Sequence, residues 1–152
     1  MKPIAIYQIL GGTIGIFLLL TIDYSNLSQV KILTCFFALT LYSLSIYSGV
    51  LLLKNQILKG INLSIILNLF QIISFAVLGF SFKFVSGICL GINIDLTDDT
   101  LLRLNFDITN FQANFWGGSR NIFIGINFVP LFILSRLFKN KELIINTSHN
   151  RL

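Results

Sequence analysis

The residues able to do chemistry are few, and their spacing decides what they can do. Cys35 and Cys89 are the only cysteines. A dithiol oxidoreductase needs a close CxxC pair, which the chain lacks, so the two read either as a disulfide or as two inert buried thiols. Asn93, Asp95, Thr97 and Asp99 alternate with Ile94, Leu96 and Asp98, placing oxygens along one side of an extended stretch. A calcium loop would add a glycine and a terminal bidentate glutamate, and neither is present. The stretch therefore reads as a solvated turn in which Asp98 or Asp99 bonds nearby backbone, and no metal and no cofactor is expected. His149, the single histidine, lies in a polar tail with nothing to fix its geometry. With no nucleophile, acid–base pair or phosphate cradle assembled, the expectation is a protein that is not an enzyme.

A second set of residues could bind rather than react. Ser64, Asn68 and Gln71, with Ser74 beyond them, recur at helical spacing in an apolar run. They suit a track for a small neutral solute, or interhelical hydrogen bonds worth about 0.6–2 kcal/mol each. Gly11 and Gly15 form a GxxxG spacing, and Ser45, Ser48 and Gly49 offer a comparable small surface. Such surfaces let helices approach closely, either within the chain or against a partner subunit or second copy.

The frame that must position these residues is unusually apolar. The chain is 55% hydrophobic and 11% charged, against about 25% charged in an ordinary soluble domain. From Met1 to Phe82 its charged side chains are Lys2, Asp23, Lys31, Lys54 and Lys59. They bound uncharged runs at Pro3–Ile22, Ile32–Leu53 and Gly60–Phe82, of 20, 22 and 23 residues. At 1.5 Å per residue each run matches a hydrocarbon core of about 30 Å. The net charge of +5 is not clustered with aromatics into a nucleic-acid patch, so it reads as an orientation signal and no nucleic acid is expected. No charge falls near the middle of a run, which argues against proton-coupled transport. Thr21-Ile22-Asp23-Tyr24 offers no small-x-small cleavage site, so the first run is expected to stay in the mature protein. The Ile-, Phe- and Asn-rich composition with two prolines fits an AT-rich bacterial genome.

With a cytoplasmic amino terminus, Lys2, Lys54, Lys59, Arg136, Lys139, Lys141 and Arg151 fall inside and Lys31, Lys83, Arg103 and Arg120 outside, which agrees with the positive-inside bias. Trp116 and Tyr24 then suit one interface, Tyr7 and Tyr47 the other.

After Phe82 the period changes to two. Ile88 to Leu96 alternate, Leu102, Leu104, Phe106 and Ile108 alternate with Arg103, Asn105, Asp107 and Thr109, and Ile122, Ile124 and Ile126 follow a Gly117-Gly118 turn. A slip near Asn110 suggests a bulge. The apolar side of this sheet is expected to be buried against the outer ends of the helices or the lipid interface.

The fold class expected is a membrane all-α bundle with a small β insert. Helices fall at about 4–22, 32–53, 60–83 and 127–140, with Pro130 in the first turn of the last. An antiparallel hairpin or three-stranded sheet, about 88–126, lies on the extracytoplasmic side between helices three and four. Residues 1–145 form one membrane domain and 146–152 a disordered tail. The function expected is that of a non-enzymatic partner or assembly subunit of a membrane complex, in contact with the lipid bilayer and with other subunits or its own copies. It would sit as a multi-pass protein in a bacterial inner membrane, both termini cytoplasmic. The alternative is a channel or carrier for a small neutral solute.

Overall fold

A computed structural model describes residues 1–22, 28–54, 56–97, 101–114 and 122–149. Its elements run α1 (Lys2–Leu20), α2 (Gln29–Leu53), α3 (Ile57–Ile72), β1 (Ile73–Val77), β2 (Phe80–Asp95), β3 (Leu101–Asn114), β4 (Phe123–Asn127) and α4 (Phe128–His149). This is not a four-span bundle with a small insert: among the described residues two helices are long and apolar enough to span, and strands of 5, 16, 14 and 5 residues form a four-stranded antiparallel sheet.

Two helices, α1 and α2, are long and apolar enough to cross a membrane. Pro3 sits in the first turn of α1, where its missing N–H costs nothing, and the Ser28 hydroxyl caps α2 by accepting from the Lys31 amide. The third apolar run does not remain helical. At 16 residues α3 reaches about 24 Å, short of a hydrocarbon core, and passes directly into β1. Ile72-Ile73-Ser74-Phe75-Ala76-Val77 is rich in β-branched and aromatic residues, and edge pairing stabilises it as strand. Leu78 and Gly79, both at positive φ (49° and 87°), then turn the chain tightly from β1 into β2. The fourth helix begins at Phe128 with Pro130 in its first turn, and continues to His149 rather than ending near 140.

The sheet order is β1-β4-β2-β3, with β1 also pairing β2. Both pairings of β1 are short: Ile73–Ala76 with β4, and Phe75–Val77 with the first three residues of β2. The last five residues of β2 pair with β4 as well. Strands β1, β2 and β4 thus close a ring, which forces β2 to bend. The bend is a bulge between Val85 and Ile88, with Gly87 at φ 109°. Opposite it, Thr109 of β3 sits at φ 41°, and its hydroxyl accepts from Gly87 N–H and donates to Gly87 C=O. The irregularity expected near Asn110 is therefore shared by both strands. The Gly117-Gly118 turn, Trp116, Tyr24 and Asp98–Asp99 lie outside the described residues.

Two apolar clusters hold the layers together. One joins Ala5, Leu52, Ile61, Ile65, Ile133, Leu134 and Leu137, flanked by Met1 and Ile144; the other joins Ala38, Leu41, Tyr42 and Leu67 to Phe84 of β2. Nor does the sheet cap the helix ends. Gly11, midway along α1, lies directly against the backbone of Ser86 and Gly87, so close that a Cβ on Gly11 would meet Gly87 N at 2.6 Å.

Candidate functional site: a side-chain ladder on an inverted sheet

Between Lys83 and Leu90 the edge of β2 away from β3 has no strand partner among the described residues. Alternate amides along a strand point to the same edge, so the N–H groups of Ser86, Ile88 and Leu90 all face this gap. Two helix side chains and Asn127, the last residue of β4, take them. Ser86 N–H donates to Gln71 Oε1 of α3 (2.9 Å), Ile88 N–H to the Tyr7 hydroxyl of α1 (2.9 Å), and Leu90 N–H to Asn127 Oδ1 (3.2 Å). The Tyr7 hydroxyl donates back to Ile88 C=O, and the Tyr42 hydroxyl donates to Val85 C=O. These side chains substitute for the missing strand. Asn127 does a second job, since the same oxygen accepts from Val129 N–H and caps α4.

The other polar residues join this ladder to the helices. Gln8, 1% exposed, accepts through Oε1 from the hydroxyls of Ser48 and Ser64. Ser45 bonds the Gln8 carbonyl and the Ser86 hydroxyl (2.9 Å). Asn68 donates to Ser64 C=O, one turn back. Ser64, Asn68 and Gln71 each bond within the bundle, while Gln8 Nε2 and Asn68 Oδ1, both buried, have no hydrogen-bond partner among the described residues. Gly11, Gly15 and Gly49 pack against β2, Tyr42 and the Ala5 carbonyl respectively, so these small surfaces serve contacts within the chain.

Beyond the bulge the sheet is inverted relative to an ordinary two-layer fold. Register pairs Ile88 with Ile108, Leu90 with Phe106, Ile92 with Leu104 and Ile126, and Ile94 with Leu102 and Ile124. Directly paired residues share a face, and this one points away from the protein: Leu104 is 86% exposed and Phe106 64%. The opposite face carries Cys89, Asn93, Asn105, Asp107 and Asn127, and it faces inward. There the ammonium of Lys83 bonds the carboxylate of Asp107, with the Lys83 side chain only 11% exposed. A cavity of ≈ 10 Å³, room for about one water, is lined by Gln71, Ser74, Lys83, Cys89, Asn93, Asn105 and Asn127. Asn127 Nδ2, buried beside it, has no hydrogen-bond partner among the described residues. Lys83 is thus buried and Asp107 half-buried.

Cys35 and Cys89 are both free, so the disulfide that the sequence allowed is not formed. Burial pushes the Cys89 thiol up, and nearby Lys83 offsets this only in part, so it has little thiolate character. Asp95 accepts from the hydroxyl and then the amide of Thr97, which holds its carboxyl below the ordinary value. No grouping of three or more metal-ligating side chains occurs among the described residues.

Sequence reasoning missed Tyr7, Gln8, Tyr42, Thr109 and Asn127. One signal was available: Gln8 is the single amide in an otherwise apolar helix, where a polar side chain needs a partner. No protein family, curated protein or solved structure matches the chain.

Proposed function

We propose that this chain is a small, non-enzymatic membrane protein that works through assembly, inserted by α1 and α2 in a bacterial inner membrane. The observation that carries the reading is the inverted sheet: Ile, Leu and Phe turned outward, amides and an ion pair turned inward. Hydrocarbon rewards that arrangement and water opposes it. An open apolar groove of ≈ 320 Å³ lined by Leu69, Phe70, Ile73, Phe75 and Phe82 adds support, being suited to an acyl chain. Met1 and Ile144 flank one cluster, which puts Lys2, Lys139 and Lys141 toward one end of the molecule. That favours both termini on the cytoplasmic side. The bonds that Ser64, Asn68 and Gln71 make within the bundle and the water-sized cavity speak against passage of a solute.

Alkaline carbonate extraction of membranes tests the reading, combined with labelling of Leu104→Cys in a chain whose native cysteines are alanine. The expected result is retention in the membrane pellet, with labelling by a lipid-phase reagent and none by an impermeant one. Release into the carbonate supernatant would remove the proposal.

A further inference from the structure

β3 ends the sheet, and no described strand pairs with its outer edge. It is 14 residues long, without proline, kinked at Thr109 and apolar on one face. Such an edge is costly in hydrocarbon, where each unpaired amide or carbonyl costs several kcal/mol, and it invites pairing in water. Its sequence says what would fit. An edge pairs with a second copy of itself in antiparallel sense only when paired residue numbers sum to an even value, because outward-pointing amides must meet outward-pointing carbonyls.

Centring that pairing on Asn105 sets Arg103 opposite Asp107, twice by symmetry, on one face. On the other face Leu104 meets Phe106 and Leu102 meets Ile108, again twice. A shift of the centre to residue 103 or 107 sets like charges against each other, and centring on 104 or 106 leaves both charges opposite uncharged residues. Among centres from 103 to 107, only the one on Asn105 sets opposite charges face to face, adding a contact between copies to the Lys83–Asp107 and Arg103–Asp95 pairs within each copy.

We infer that a second copy of this chain adds to the β3 edge, antiparallel and centred on Asn105, to make a sheet continuous across a two-fold axis. This names the partner for the assembly role proposed above and rests on that reading.

The test is oxidative crosslinking in detergent of Asn105→Cys, in a chain whose Cys35 and Cys89 are alanine, with Leu101→Cys as comparison. Asn105 faces its own copy across the axis, within disulfide reach, whereas the two Leu101 positions lie about 27 Å apart. The expected result is a covalent dimer for Asn105→Cys and none for Leu101→Cys, both variants melting as their parent does. The parent should have the mass of two 17.1 kDa chains. Arg103→Glu, at a side chain 65% exposed, should weaken that dimer at least about tenfold. A monomeric parent, a dimer that Asn105→Cys does not crosslink, or equal crosslinking at Leu101 would each overturn the inference. Carbonate extraction is scored separately, so a chain that stays in the membrane as a monomer fails only this inference, and one that crosslinks after release fails only the membrane reading.

Discussion

Gly11→Ala probes the contact on which the relation between helices and sheet depends. In a free helix the change is favourable by about 1 kcal/mol, because alanine loses less backbone entropy than glycine. Here the new methyl would lie 2.6 Å from Gly87 N and from the Ser86 carbonyl carbon, roughly 0.8 Å inside ordinary contact. Both neighbours are backbone, held in place by Gln71 on Ser86 N–H and by Thr109 on Gly87 N–H. Moving them strains one or both bonds, each worth about 0.5–1.5 kcal/mol, on top of an overpacking cost of about 1–3 kcal/mol. The net expectation is a loss of about 2 kcal/mol, or about 4–8 °C in melting temperature for a chain of this size. Leu10→Ala, one residue away on an exposed position, should change stability by about 0.5 kcal/mol or less. Thermal unfolding in a fixed detergent, followed by circular dichroism, measures both. If Gly11→Ala melts at or above the parent temperature, helix propensity has prevailed and the close packing of α1 on the β2 bulge is wrong.

Removing one partner of the Lys83–Asp107 pair should cost about 1–3 kcal/mol, less than a fully buried pair because Asp107 retains 28% of its side-chain exposure. Lys83→Met with Asp107→Leu should recover most of that loss, and strict additivity in a denaturant-based double-mutant cycle would refute the coupling. The Asp95 carboxyl, held low by Thr97, contributes stability that is whole above about pH 4 and is lost as pH falls through its folded value. The melting gap between the parent and Asp95→Asn at pH 7 should therefore narrow below pH 4, and a gap that widens on acidification would contradict the assignment.

The first two helices were legible because their runs are bounded by charges: about 4–22 and 32–53 were expected, Lys2–Leu20 and Gln29–Leu53 are found. The strands were legible wherever apolar and polar residues alternate, as from Leu102 to Ile108 and from Ile88 to Asp95. The third run failed because it is apolar almost throughout. Neither a period of 3.6 nor of two shows in such a run, and only pairing of Ile73–Ala76 with β4, some fifty residues later, decides that it turns to strand. Alternation also leaves open which face of a sheet points inward. The apolar face was expected against either the outer helix ends or the lipid interface, and most of it points away from the helices, because the inward side is set by helix-borne partners such as Tyr7 and Gln71. Those partners are remote in sequence from the amides they satisfy. Tyr7 and Ile88 are 81 residues apart, and no local pattern announces the contact.

Energetics connect the inverted face with the exposed edge. Full burial of a Leu, Ile or Phe side chain is worth about 1.5–3 kcal/mol. Leu102, Leu104, Phe106 and Ile108, each more than half exposed, would forgo on the order of 4–8 kcal/mol in water, comparable with the whole stability of an ordinary domain at about 5–15 kcal/mol. Reversing the sheet would not recover this, because the Ser86 and Ile88 amides would then lose Gln71 and Tyr7, the helix-borne groups that satisfy them. Lipid would cover the face without disturbing the interior but would supply no hydrogen bonds to the edge. A strand from a second copy would supply the edge bonds and bring its own apolar face into the same surface. The two requirements are met together only when the pairing occurs with the apolar faces in hydrocarbon, which is why membrane insertion and the β3 pairing support each other while remaining separately testable.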